Sequence, residues 1–150
     1  MSASNNFETN SLKLIFNNTT YALIGDATGV VGSGTAGSLY VALHTADPGE
    51  AGTQATSEAT YTGYARVAVA RTSGAWTVTG TAPTTVSNVS TITFGTCTSG
   101  TNTLTYFSIG YQSAGSTKII VSGALTNQVI VSVGNPVPSF AASQLTATVD

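Results

Sequence analysis

From Ser38 onward, the sequence alternates short apolar and β-branched runs with turns rich in Gly, Ser and Asn. These runs have the two-residue period of half-buried strands, and Thr suits them because its branched β-carbon fits a pleated sheet while its hydroxyl tolerates water. About eight short strands are predicted, and they lie at 39–45, 64–70, 75–79, 85–94, 104–111, 118–125, 128–133 and 144–150.

This pattern predicts an all-β fold, an antiparallel β-sandwich that is either jelly-roll-like or Ig-like. Periodicity does not determine strand order, so both topologies stay open at this point. The segment that contains Asn135, Pro136 and Pro138 is expected to be a connection, because proline cannot donate a hydrogen bond to a central ladder.

The N-terminal segment has a different pattern. Asn5 and Glu8 resemble a capping box, and Phe7, Leu14 and Ile15 share one helical face. The glycines between residues 25 and 37 predict a loop. We therefore expect a short helix and a Gly-rich arm in residues 1–37, followed by a sandwich domain in residues 38–150.

Charge is scarce and excludes several classes of partner. Charged residues make up 7 % of the chain, against about 25 % in ordinary globular proteins, and the net charge is −2. A nucleic-acid surface needs clustered Lys and Arg, so we expect no nucleic-acid partner. No apolar run is long enough to cross a membrane, and no signal peptide is recognisable, so we expect no membrane partner. Such a composition suits a surface that neighbouring subunits cover.

The loop that follows the first predicted strand contains the chain's only histidine. His44, Asp47 and Glu50 could be arranged around a metal ion, but zinc sites need a third or fourth protein ligand and calcium sites need denser carboxylates. Asp47, Pro48 and Gly49 instead match the residue preferences of a turn. We expect a turn here, with no metal and no other cofactor.

Other hypotheses of catalysis or ligand binding have little support in the sequence. The sequence has no G-x-S-x-G nucleophile motif, and Glu50 with Glu58, the formal pair for a glycosidase, lies in one polar loop. The single Cys97 excludes an internal disulfide, and no basic neighbour activates its thiol. Tyrosines such as Tyr61 and Tyr64 could line a carbohydrate-binding surface. We expect no catalytic residues and no enzyme.

Several blocks of the sequence resemble a family of small virion proteins of tailed bacteriophages, commonly described as phage tail fibre proteins. The resemblance covers nearly all of residues 38–150, and its most specific blocks are LHTADPGE and GYARVAV. Its other blocks are AWTV around the single Trp76, ITF at 92–94, YFSIGYQSAGS, SGALT at 122–126 and SFAASQLTATVD. Related small β proteins decorate or cement capsids.

The resemblance implies a virion structural protein without catalytic residues, made in the bacterial cytoplasm and assembled in many copies. No repeat that would lengthen a fibre is present, so the first expectation is a decoration or cement protein on the outer capsid surface. Its partners would be the major capsid protein and other copies of the chain, with a trimer as one option. The alternatives are a tail-associated or short fibre protein involved in host attachment and, third, a carbohydrate-binding module. The expected contact residues are Phe7, Leu14 and Phe16 of the arm and His44, Asp47, Glu50 and Glu58 of the loop.

Overall fold

A computed structural model describes residues 3–80 and 83–149. These residues contain one helix and nine strands. The helix is α1 (Asn5–Asn17). The strands are β1 (Ser38–His44), β2 (Val67–Ala70), β3 (Trp76–Thr79), β4 (Thr84–Asn88), β5 (Ile92–Thr93), β6 (Thr101–Gly110), β7 (Ile119–Ser132), β8 (Ser139–Phe140) and β9 (Thr146–Val149).

Contacts divide the described chain into two compact units that interleave along the sequence. The first contains residues 3–38, 70–80, 83–91 and 141–149. The second contains Leu39–Val69 and Ile92–Phe140. The helix thus shares a unit with β3, β4 and β9. The division into an arm and a sandwich that the sequence predicts at residue 37 stays a prediction.

Helix α1 is delimited by a cap at each end. The Ser4 side chain accepts a hydrogen bond from the Phe7 N–H at 3.3 Å, as an N-cap should. At the other end Asn18 has a left-handed backbone, with φ of 55°, and the Thr19 N–H bonds the Lys13 carbonyl at 3.1 Å. Among the described residues, no helix is long and apolar enough to span a membrane.

In the first unit, α1 packs on an antiparallel sheet with the order β3-β4-β9. Leu12 and Phe16 are buried on the inner face of the helix, and the Phe16 ring meets Trp76 edge-on with 5.1 Å between ring centroids. The Arg71 guanidinium donates to the carbonyls of Leu14 and Ile15 at 2.8 and 2.7 Å. It thereby satisfies backbone groups that the end of the helix leaves without partners.

The second unit contains a four-stranded sheet with the order β2-β1-β6-β7. β1 and β6 pair antiparallel, with Tyr40 opposite Gly110 and His44 opposite Tyr106. β7 is an edge strand of 14 residues, and its register against β6 shifts in the middle. It pairs with β6 through residues 119–124 and again through 129–132.

Both faces of this sheet are covered at its centre. The two-stranded sheet of β5 and β8 lies on one face, where Phe107 and Phe140 meet edge-on with 5.8 Å between ring centroids. The opposite face carries His44 and Ser108, and the segment 53–66 contacts it there through the Thr56 carbonyl. Within this unit, two sheets therefore pack in the manner of a sandwich.

The structure confirms the predicted class: the described chain is mostly β, in antiparallel sheets, with one short N-terminal helix. Three details differ. The N-cap is Ser4 and not Asn5, because Ser4 is the residue whose side chain reaches the Phe7 N–H. The strands predicted at 118–125 and 128–133 are one strand, β7. The segment that contains Asn135, Pro136 and Pro138 is a connection, as predicted, but the two-residue strand β8 that follows it was not predicted.

Candidate interaction surface

His44 is fully buried, and both of its ring nitrogens have hydrogen-bond partners. Nδ1 lies 2.8 Å from the Thr56 carbonyl, and Nε2 lies 2.8 Å from the Ser108 hydroxyl. Since a carbonyl only accepts, Nδ1 carries the proton, and Nε2 accepts from Ser108 when the ring is neutral. His44 therefore fixes the loop to the sheet. The prediction that it contacts a partner is corrected, because its side chain is not exposed.

Burial lowers the pKa of His44 below its ordinary value of 6.5. The Thr56 carbonyl and the carboxylates of Glu58 and Asp47 oppose this shift, and the Arg66 guanidinium adds to it. The unfolded chain therefore binds a proton at a higher pH than the folded chain does. The stability that the neutral ring contributes is present above pH 6.5 and is lost as the pH falls below it.

We expect the melting temperature to fall as the pH is lowered from about 7.5 to about 5.5, the range in which histidine titrates. Thermal unfolding followed by circular dichroism at several pH values measures this dependence. A His44→Gln variant should lose most of the slope, whatever its absolute stability, because glutamine does not titrate. An equal slope in the variant would contradict the assignment.

A second buried group lies beside His44. Glu58 and Arg66 form a two-point ion pair, with Nε to Oε1 at 2.7 Å and Nη2 to Oε2 at 2.8 Å. The Tyr64 hydroxyl donates to the same carboxylate at 3.0 Å, and burial raises the pKa of that hydroxyl. The other partners of the Arg66 guanidinium are Gln54, Gln112, Gly115 and Thr117. These bonds join the loop to the turn between β6 and β7.

The other acids of this loop are exposed. The Asp47 carboxylate accepts from the Gly49 N–H at 2.9 Å, and Gly49 has a positive φ of 69°. This confirms the predicted turn. Glu50 is exposed, whereas Glu58 is half-buried and engaged by Arg66. Asp47 and Glu50 thus remain accessible, and their contact with a partner stays a prediction.

The tyrosines proposed for a carbohydrate surface do not lie on one. Tyr61 is buried, and its hydroxyl donates to the Gly95 carbonyl at 3.1 Å. The Tyr64 hydroxyl is bonded to Glu58 and accepts from the Leu43 N–H. Both rings pack in an aromatic cluster with Phe94, so this hypothesis loses its two named residues.

The three expected contact residues of α1 separate by exposure. Phe16 is buried against Trp76, so its predicted contact with a partner is corrected to a core role. Leu14 is half-buried. Phe7 is 51 % exposed, and its ring lies beside Tyr21 with 6.2 Å between centroids. Of the three, Phe7 is available to a partner.

Tyr21 belongs to a hairpin that the sequence predicts only as a Gly-rich loop. We define the 18–33 hairpin by its base, where the Asn18 side-chain amide exchanges two 2.7 Å hydrogen bonds with the backbone of Ser33. Higher up, Tyr21 and Val30 exchange two backbone hydrogen bonds of 2.9 Å. At the tip, the Asp26 carboxylate accepts from the N–H groups of Thr28 and Gly29, both at 2.8 Å. The hairpin is therefore held at three levels.

This ordered hairpin exposes apolar side chains. Leu23 is 80 % exposed and has a φ of 67°, a left-handed conformation that is costly for a residue other than Gly, Asn or Asp. Ile24, Val30 and Val31 are also exposed. A groove of about 380 Å³ lies between Asn6 and Asn10 of α1 and the segment 20–24. An exposed apolar patch on a constrained hairpin is typical of a site that binds another protein.

Comparison with known families decides the class of protein. A family model described as Podophage GP4 fiber I protein gp80 matches residues 2–148. The chain belongs to this family. It is accordingly a structural protein of the phage virion, as the resemblance in its sequence implies. A comparison with curated proteins found no match.

For this member of the fibre family, the hairpin is the feature that sequence reasoning missed. A signal is present, since Leu23 and Ile24 are adjacent apolar residues between Tyr21 and the glycines. The sequence still predicts a flexible arm there, because nothing local indicates that Asn18 pairs with Ser33, which lies 15 residues away. In the loop that contains His44, the buried side chains form hydrogen bonds and an ion pair that hold the loop on the sheet.

Proposed function

We propose that this chain is a subunit of a fibre on the phage virion and that it attaches to its neighbour in the particle through the apolar surface of the 18–33 hairpin and Phe7. The observation that carries the proposal is Leu23, an apolar side chain held exposed in a strained conformation by an ordered hairpin. Membership of a fibre family supports the location. The role needs no catalytic residue and no cofactor.

Burial of the exposed apolar side chains supplies the binding free energy. Covering a fully exposed Leu or Ile side chain contributes about 1.5–3 kcal/mol. The hairpin is already ordered by the Asn18, Tyr21 and Asp26 bonds, so a partner loses little of this gain to ordering the loop. The patch has few charges, since Asp26 is its one acid and that carboxylate is bonded to the backbone of its own turn. The partner surface is therefore expected to be apolar.

The location is tested on purified virions of the phage that encodes the chain. Quantitative mass spectrometry gives its copy number relative to the major capsid protein, and an antibody against an epitope tag gives its position by electron microscopy. A fibre subunit is expected at a few per cent of the capsid protein and at the tail or a vertex. Label spread over the whole shell would contradict the proposal.

The attachment is tested by Leu23→Asp. Because the side chain is exposed, the variant should fold with an unchanged melting temperature, while an unpaired carboxylate in an apolar contact should lower incorporation into virions at least about tenfold. Val89→Asp is the matched control, since Val89 is an exposed apolar residue of the same unit outside the hairpin. Equal incorporation of both variants would contradict the role of the hairpin.

Capsid decoration is the second candidate. It is favoured by the absence, among the described residues, of any long helix: α1 has 13 residues and is the one helix found, so nothing helical here gives a fibre its length. A decoration protein would bind the major capsid protein over the shell and would occur at a ratio of roughly one, or roughly one third, set by the shell's symmetry. The copy-number measurement separates the two candidates.

A further inference from the structure

An apolar pocket lies in the second unit where β7 separates from β6. The two strands pair up to Ala124 and again from Val129, so residues 125–128 of β7 lie opposite Thr105 alone. Irregularities of this kind are over-represented at sheet edges and beside functional sites. Leu104 of β6, which is fully buried, lines the pocket at this point. The irregular strand thus leaves a gap beside a core residue.

This pocket is small, apolar and half-open. Its volume is about 30 Å³, which admits the tip of one aliphatic side chain. Leu43 and Phe94 join Leu104 in its buried part, whereas Val129 and Ser139 are exposed at its mouth. None of the described residues that line it is charged. It is therefore suited to an apolar group of the size of one side chain.

The 18–33 hairpin exposes a side chain of matching size and chemistry. Leu23 is 80 % exposed, the highest value among the large apolar residues that the structure describes. Its left-handed backbone persists only where the surrounding structure imposes it. Asp26, the one acid of the hairpin, is bonded to the backbone of its own turn. Neither surface therefore brings a free charge to a contact between them.

We infer that Leu23 of one copy of this chain inserts into the pocket of the next copy, head to tail. The inference rests on the proposed function, because it names another copy as the neighbour to which the hairpin attaches. Two different surfaces are joined, so the contact is heterologous and repeats from copy to copy, whereas a two-fold contact ends at two copies. The chain belongs to a fibre family, and its sequence has no repeat that lengthens a fibre, so stacked copies supply the length.

Sedimentation velocity of the purified chain measures this association. Species larger than the 15.1 kDa monomer should form, and their share should grow as the concentration rises from about 10 μM to about 1 mM, since a single inserted side chain gives a weak contact. A chain that stays monomeric over this range would overturn the inference. So would an association that ends at two copies.

Two aspartate variants locate the contact. Leu23→Asp and Ser139→Asp are both at exposed positions and should keep the melting temperature, but each should weaken association about tenfold or more, because a carboxylate meets an apolar surface. Thr103→Asp is the matched control, an exposed position of β6 on the face opposite to Leu104. Equal association of Ser139→Asp and Thr103→Asp would exclude the pocket and overturn the inference.

A mixture of the two variants tests the head-to-tail arrangement. Leu23→Asp keeps an intact pocket and Ser139→Asp keeps an intact Leu23, so one productive contact remains between them. An equimolar mixture should therefore give a dimer and nothing larger, although neither variant associates alone. A mixture that stays monomeric would overturn the inference. Dimers of Ser139→Asp alone would also overturn it, because they indicate a contact of hairpin with hairpin.

The failure of this inference can be distinguished from the failure of the proposed function. If the purified chain is monomeric while Leu23→Asp still lowers incorporation into virions, the hairpin attaches to a different protein; the contact between copies is then overturned and the attachment role stands. If association requires Leu23 while the virions incorporate Leu23→Asp normally, the contact between copies is supported and the attachment role is overturned.

Discussion

Replacement of Arg66 by alanine is expected to lower the free energy of unfolding by about 3–5 kcal/mol, the range for a buried ion pair that loses one partner. The side chain of Arg66 is almost fully buried, and the carboxylate of Glu58 would be left half-buried without its two-point partner. The Gln112 and Gly115 carbonyls also lose a donor. In a chain of this size, the melting temperature should fall by about 10 °C.

Thermal or urea unfolding of purified variants measures the effect. Lys118→Ala is the control, because it removes a positive charge from an exposed position of the same unit and should change stability by less than about 0.5 kcal/mol. A double variant, Glu58→Gln with Arg66→Met, should be less destabilised than Arg66→Ala, since no unpaired charge remains. Equal effects of Arg66→Ala and Lys118→Ala would refute the role assigned to the ion pair.

The second large effect is expected from Phe16→Ala, at about 3–5 kcal/mol. Phe16 is fully buried between α1 and β3, and its removal leaves a cavity beside Trp76, which is 1 % exposed. Because Trp76 is the chain's only tryptophan, its fluorescence reports on this site alone. The emission maximum should shift to longer wavelength in the variant as water approaches the ring.

Phe7→Ala provides the matched control: it is the same substitution on the same helix, at an exposed position. It should leave the fluorescence unchanged and cost less than about 1 kcal/mol. If both variants lost the same stability, α1 would not be docked through the face that contains Phe16. The two substitutions also separate folding from assembly, because Phe7 belongs to the proposed attachment surface and Phe16 does not.

The strands are predictable because their evidence is local. The alternation in 38–44 and 104–110 has a period of two, and every strand found lies in or next to a predicted run except β8. The sequence predicts two strands in place of β7 because Thr126 and Asn127 resemble the residues of a turn. In the structure, these residues lie at the register shift against β6 and the chain continues as one strand.

The environment of the polar residues is not predictable from local pattern. His44 depends on Ser108, 64 positions away, and Glu58 depends on an arginine whose other partners lie near residue 115. Nothing in the spacing of His44 and Glu58 indicates that both become buried or half-buried. The same limit applies to α1, which packs against β3 about 60 residues later in the chain.

Asn18 has a consequence for how the hairpin can vary. One residue both ends α1, through its left-handed backbone, and closes the hairpin, through its side-chain bonds to Ser33. The segment between them is thereby closed by its own hydrogen bonds, and it contacts the start of α1 where Tyr21 lies beside Phe7. Substitutions at its exposed tip are therefore expected to leave the packing of Phe16 on Trp76 unaltered. Under the proposed function, the residues that select the partner lie chiefly in the hairpin, whereas residues that hold the fold, such as Phe16, lie outside it.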